Sequence, residues 1–483
     1  MKKAVSCLLA VACTAAVCSF SGCKKEVEIL TAYEITVEYA PENATLAGTA
    51  KVSFENGGDN EISTLKFQTY PNAYRKDALY KPVSAAMQSA AYYAGESYGE
   101  MVISSVSGAK NWEVLGDDNN ILYVHLERSL FPGDKVVLDI GFLVKLANVN
   151  HRTGVTPKTV NFGNFFPVLC GQKNGGFYEC AVSEHGDPFY TDCADYTVTV
   201  TLPKDYLVAA TGETVGERTL ESKKKYEFTA TAVRDFAMVV SPHFQRVEKE
   251  VSGVNIAYYY YADAAPQDTL DTAAECFAYY SDAFGEYPYA TYTLAQTGYC
   301  GGSAEYPCLA FISDTLSGAE KTRAIARETA NQWWGVAVGS DQTENAWQDE
   351  GLAEYSALTF FENYEKYAVS REDAVADALK EYRSFYDVYG SVLGRTDTRM
   401  QRSLKDFSNE YEYRCLVYDK SVIMFDTLRK SVGDKKFFAA LKKYYENNLY
   451  AMTTGEHLIG SFEKSGLDVR GFFESFLQGK AVL

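Results

Sequence analysis

The chain has 483 residues, 47% hydrophobic and 23% charged, an ordinary composition for folded domains and long enough for two or three of them. A formal charge of −18 and the lack of any basic run exclude a nucleic-acid-binding surface. An anionic membrane surface would repel such a body, so membrane attachment is expected only through a covalent anchor.

The first predicted element supplies that anchor. Lys2 and Lys3 precede a short apolar stretch from Ala4 to Val17, and the small residues Ser21 and Gly22 precede Cys23. Residues 1–22 therefore read as a secretory signal peptide, too short for a stable membrane span. Phe20-Ser21-Gly22-Cys23 is similar to a bacterial lipobox, with Phe20 where Leu is usual. Lipidation of Cys23 is expected, which places the protein outside the cytoplasm on a bacterial membrane.

From residue 24 to 247 the text is strand-like. Alternating runs such as Tyr33-Glu34-Ile35-Thr36-Val37-Glu38-Tyr39 and Tyr196-Thr197-Val198-Thr199-Val200 are separated by turn clusters such as Asn56-Gly57-Gly58-Asp59-Asn60. This predicts a β-sandwich-like amino-terminal domain. Beyond it, residues 248–483 open with a strand pair around Val254–Tyr261 and then become mostly helical. Helices are predicted over Leu270–Phe284, Ala319–Val338, Asn345–Tyr364, Arg371–Val388, Leu416–Val432, Lys435–Asn447 and Gly455–Ser465. The fold class is α+β.

Eleven cysteines are present, and none forms a C-x-x-C pair, so a thiolate zinc site is not expected. Cys300 and Cys308 read as buried thiols in preference to a disulfide clamp.

The chemistry concentrates in the second half. Ala326-Arg327-Glu328-Thr329-Ala330-Asn331-Gln332-Trp333-Trp334 puts Arg327 and Asn331 one helical turn apart, with Glu328 about 100° round from Arg327. Eighteen residues after Asn331 comes Glu350, in Trp347-Gln348-Asp349-Glu350-Gly351. Gly301-Gly302-Ser303-Ala304-Glu305-Tyr306 lies upstream, and Tyr418-Asp419-Lys420-Ser421 downstream. Asn161-Phe162-Gly163-Asn164-Phe165-Phe166-Pro167 and Gly186-Asp187-Pro188-Phe189-Tyr190 belong to the same pattern.

In order and spacing these segments resemble the gluzincin aminopeptidases, the membrane alanyl aminopeptidase (aminopeptidase N) family, over nearly the whole chain after the signal peptide. The resemblance implies that the helical half is a thermolysin-like (zincin) domain. It implies that Arg327 and Asn331 stand where the two zinc-binding histidines belong, with Glu350 as the third ligand and Glu328 as the general base. Glu305, with Gly301 and Gly302 before it, would hold the free α-amino group of a peptide, and Tyr418 would hydrogen-bond the oxyanion. Ser303-Ala304 and Ser421 depart from the family's usual residues.

Only Glu350 can ligate zinc. Asn331 is a poor ligand, and a guanidinium has no lone pair to offer. The five histidines are His125, His151, His185, His243 and His457, none within the motif-bearing segments. No zinc cofactor is therefore expected. Arg327 is expected instead in a buried bridge to Glu350, with Glu328 a further partner, and Trp333 and Trp334 in the core. The sequence supports a zinc-less pseudo-peptidase that binds peptides with free amino termini, or a protein partner, in its cleft. Two further readings stay open: an active zinc metallopeptidase with a rearranged metal site, and a structural or adhesive surface protein.

Overall fold

The computed structural model describes residues 28–481 and 483. The predicted signal peptide and Cys23 lie outside the described residues.

In the first half, β1 (Thr31–Ala40) buries Tyr33, Ile35, Val37 and Tyr39 and exposes the residues between them, as its alternating sequence requires. It pairs antiparallel with β2 (Thr45–Glu55), which pairs with β3 (Lys135–Lys145). On its other side β1 runs parallel to β4 (Ala194–Pro203), which pairs antiparallel with β5 (Lys223–Val233). These strands form the centre of a seven-stranded sheet. Two four-stranded sheets and a two-stranded ribbon complete this half, and residues from the three larger sheets share one apolar core. A β-rich, layered amino-terminal domain is thus present.

The boundary falls slightly earlier than residue 247. The last strand of the first half ends at Ser241, and β6 (Gln245–Val251) pairs with β7 (Val254–Tyr260) in the next sheet. That sheet adds β8 (Thr291–Thr297), β9 (Ser303–Tyr306) and β10 (Leu309–Ser313), in the order β6-β7-β8-β10-β9. The short strand β9 lies at the edge.

Helix α1 (Pro266–Phe284) packs with α2 (Gly318–Asn331), and α2 packs against α3 (Glu350–Asn363). Helix α2 stops seven residues short of the predicted Val338. Gly335, at φ +88°, turns the chain, and its N–H closes on the Val338 carbonyl at 2.8 Å. Trp333 and Trp334 leave the helix and enter the core, each indole N–H bonded, to the Gly285 carbonyl and to Ser356. Helix α3 begins at Glu350 itself, because the segment before it is a single turn (Gln342–Asn345) followed by irregular backbone. The remaining helices include α4 (Arg371–Leu393) and α5 (Lys420–Val432), the latter entered through a π-helical turn at Cys415–Asp419.

The halves are tied together. Ala209, Ala237 and Val239 of the first half pack with Tyr299, Ala304, Tyr306 and Phe311 of the second. Buried Arg234 donates to the Val336 and Ala451 carbonyls at 3.0 and 2.8 Å.

Candidate active site

A cavity of about 740 Å³ opens between the halves. Ser303, Glu305, Arg323, Arg327, Glu350, Glu354 and Tyr418 line it from the second half, and His151, Arg152 and Asp187 from the first. Glycine at position 302, at φ +88°, lets the chain turn into β9, and Gly301 lies against the Tyr299 ring, where an added Cβ would stand 2.4 Å from its hydroxyl. This close approach presents Ser303 and Glu305 to the cavity.

Helix α2 brings Arg327, Glu328 and Asn331 to one place. Arg327 donates from Nε and Nη2 to Glu328 Oε1 at 3.0 and 2.8 Å. Its Nη2 also donates to Ser303 Oγ at 2.9 Å, and Ser303 in turn donates to Glu328 Oε1 at 2.7 Å. Asn331 reaches the other oxygen of Glu328, Nδ2 to Oε2, at 3.4 Å. The Glu328 side chain is 1% exposed, so this closed network accounts for a fully buried carboxylate. Ser303, a departure from the family pattern, is the third member of that network.

The expected Arg327–Glu350 bridge is not the one found. Arg327 pairs with Glu328, its sequence neighbour, and the arginine–carboxylate link between α2 and α3 lies one turn away, where Arg323 Nε donates to Glu354 at 2.7 Å. Two acceptors, Ser303 Oγ and the Glu328 carboxylate, hold the Arg327 fork beside its own helix. Glu350 is left 5% exposed, and its buried Oε2 accepts no hydrogen bond.

Tyr418 sits on the π-helical turn with its ring 5.4 Å beneath the Arg327 guanidinium. Burial and the nearby Glu350 carboxylate push its hydroxyl well above the usual range. Gly351 touches Ser421: a Cβ there would lie 2.5 Å from the serine's Cβ, so the serine packs into the space that glycine leaves.

Asp187 and Arg152 complete the electrostatics. They form an ion pair, and the Arg152 guanidinium also lies over the rings of Phe189, Tyr299 and Tyr306. Burial, then the carboxylates of Asp187, Glu350 and Glu328, hold Glu305 well above the usual carboxylate range, against the pull of Arg152. Burial likewise raises Glu350, with Arg327 opposing and Asp187 and Asp349 adding to the rise.

Asp187 could have been found from Gly186-Asp187-Pro188, already visible as part of the family pattern. Two histidines were harder to place. His151 lines the cavity, its Nδ1 2.6 Å from the Tyr74 hydroxyl, and burial lowers it to about 3, so it is neutral. His185 is buried against Tyr413, its Nδ1 3.1 Å from Glu410. His457 caps its own helix through Thr454. The residues at the family's metal positions do not fit zinc: a guanidinium engaged by two partners, an amide pointing its N–H₂ at Glu328, and one carboxylate. Among the described residues the seven cysteines are free, Cys300 and Cys308 included.

The fold and the order of these residues are similar to those of the gluzincin peptidases. Residues 269–476 match the Peptidase family M1 domain. Aminopeptidase N of Lactococcus lactis subsp. lactis is 28% identical over 233 residues, 43% of this chain and 26% of that protein. Human endoplasmic reticulum aminopeptidase 2 is 27% identical over 171 residues, 33% of this chain and 16% of that protein. The chain thus spans only a minor part of these curated relatives. The M1 zinc metallopeptidase from Deinococcus radiodurans has the same fold from end to end: TM-score 0.66 at 19% identity, covering 94% of this chain and 95% of that one. Among the described residues, no helix is long and apolar enough to cross a membrane.

Proposed function

We propose that this chain is a zinc-less pseudo-peptidase, anchored outside the cytoplasm through Cys23, that binds peptides by their free amino termini. The observation that carries the reading is the closed Arg327–Ser303–Glu328 network. A general base must be free to take a proton from water, and a Lewis acid must polarise the scissile carbonyl. Here the base position is bonded to a fixed cation, and the histidine positions hold groups that do not ligate.

Capture of an amine needs neither. Glu305 is half-buried on edge strand β9, faces the cavity, and has no cationic partner among the described residues. An ammonium is the complement it lacks, and the open edge offers backbone groups to an extended peptide. A structure of the Deinococcus radiodurans relative is of a mutant bound to Tyr-Ser-Ala substrate, which supports a peptide as the ligand class for this scaffold.

Calorimetry with short peptides and their N-acetylated twins tests this. Acetylation removes the cation and is expected to cost about 1–3 kcal/mol, about ten- to a hundredfold in affinity. Glu305→Gln should erase the difference. Equal affinity for both sets would leave a vestigial cleft and a structural or adhesive role.

Hydrolysis through a rearranged metal site is the second reading. One observation favours it, the convergence of Asp187, Glu305 and Glu350. Metal-dependent release of amino-acid anilides that disappears in Glu328→Gln would replace the first reading with this one.

A further inference from the structure

One oxygen from each of the Asp187, Glu305 and Glu350 carboxylates lies within 4.8 Å of the others. Acidic clusters are common, and proximity alone says little. The partners of these groups say more. Asp187 is neutralised by Arg152, and Glu328 by Arg327. Among the described residues neither Glu305 nor Glu350 has a salt-bridge partner, which leaves two formal negative charges facing the same space. Gln342 Nε2, at 3.4 Å from Glu305 Oε1, is a weak neutral contact. Glu350 is 95% buried on the 5% exposure of its residue, lines the cavity, and holds an oxygen with no hydrogen-bond partner. A buried carboxylate oxygen without a donor is unfavourable unless something else satisfies it.

We infer that Asp187, Glu305 and Glu350 form a binding site for one hard divalent cation, with Ca²⁺ the best fit. The donor set is all carboxylate oxygen, which suits Ca²⁺, Mg²⁺ or Mn²⁺ and not the nitrogen- and sulfur-rich tetrahedron of zinc. Ca²⁺ takes oxygen ligands at about 2.3–2.6 Å, so ligands on opposite sides stand about 4.6–5.2 Å apart. Mg²⁺, at about 2.0–2.1 Å, demands a stricter octahedron and gives up its water reluctantly, which an all-protein carboxylate site serves less well. A divalent ion also cancels the two unmatched charges. Solvent in the cavity would complete its coordination. The site differs from the family's metal position in two of three residues, and Asp187 comes from the other half of the chain.

The inference does not rest on peptide binding: the cation and a peptide ammonium would compete for Glu305, and the test contains no peptide. The full mature chain, stripped with EDTA, is titrated with CaCl₂ by calorimetry and followed by thermal unfolding, with MgCl₂ and ZnCl₂ run separately. One Ca²⁺ per chain and a rise in Tm are expected. Asp187→Asn and Glu305→Gln should each weaken binding at least tenfold, whereas Glu381→Gln, elsewhere on the cavity wall, should not. Should Asp187→Asn fail to fold, because Arg152 loses its partner, Glu305→Gln decides the matter alone. Absence of saturable Ca²⁺ binding at millimolar concentration, or binding that survives both substitutions, overturns the inference. Tighter binding of Zn²⁺ than Ca²⁺, lost in the same variants, overturns the assignment to a hard cation.

Discussion

Arg323 reaches across from one helix to Glu354 of the next, Nε to Oε1 at 2.7 Å, and this pair joins the segment that carries Arg327 and Glu328 to the segment that begins at Glu350. In a zinc peptidase of this scaffold the metal would make that connection. Here a surface-edged ion pair holds α2 against α3, and Arg327 is free to satisfy Glu328 instead.

The first prediction concerns that network. Arg327→Ala leaves the Glu328 carboxylate, 1% exposed, without its cation. Removing one partner of a buried pair costs about 3–5 kcal/mol. The double variant Arg327→Ala with Glu328→Gln should recover most of the loss, since the charge is gone as well. Chemical denaturation of the wild type and the three variants gives the coupling energy; a single-variant cost below about 1 kcal/mol, the range of exposed pairs, would mean that the network does not stabilise the fold.

The second concerns the metal position. If the scaffold still holds the zincin geometry, Arg327→His combined with Asn331→His should recover zinc, since Glu350 already stands unpartnered beside them. Elemental analysis is expected to show no stoichiometric zinc in the wild type and close to one zinc per chain in the double variant, lost again on Glu350→Ala. About one tightly held zinc in the wild type, lost on Glu350→Ala, would contradict the loss of the site.

The third is a pH dependence. Asp235 lies in the core of the first half, accepts from Asn164 Nδ2, and is raised by burial from its ordinary 3.8 to about 7, with the Phe236 N–H opposing. The folded state then keeps a proton that the unfolded chain releases, so its contribution to stability falls as pH rises from about 4 to 7 and is constant above. Asp235→Asn does not titrate. Its stability relative to wild type should therefore rise across that window, by a few kcal/mol at most. Denaturation curves at pH 4.5 and pH 8 suffice; an equal difference between variant and wild type at both would show that Asp235 is not perturbed.

Much of this architecture was legible because its signals are local. The alternation of Tyr33, Ile35, Val37 and Tyr39 follows from the two-residue period of a strand, and the spacing of Arg327 and Asn331 from the helical turn. Element ends were less legible. Nothing in Ala326–Gly335 announces that the helix stops at Asn331 except Gly335, whose positive φ is available to glycine but not compelled by it. The partner of Arg327 could not be read because Glu328 and Glu350 are both within reach of a long side chain, and Ser303 decides between them. The strands Thr291–Thr297 and Leu309–Ser313 went unseen: they are buried on both faces and lack alternation. Arg152 and His151 reach the cavity through long-range packing, which no local pattern encodes.

That the cavity wall is shared between halves bears on how this chain can be dissected. A fragment cut to residues 269–476, the part that matches the family domain, would keep Glu305, Glu350 and Tyr418 but lose the Arg152–Asp187 ion pair that faces Glu305 across the cavity. It would expose Tyr299, Ala304 and Phe311 to water where Ala209 and Val239 now cover them. Such a fragment reports on a different object, with an altered field in the cleft and a sticky flank. Drift in the amino-terminal loops is, for the same reason, never neutral for the helical half: a substitution at Arg152 rewrites the field at Glu305 without changing a residue of the domain that carries it.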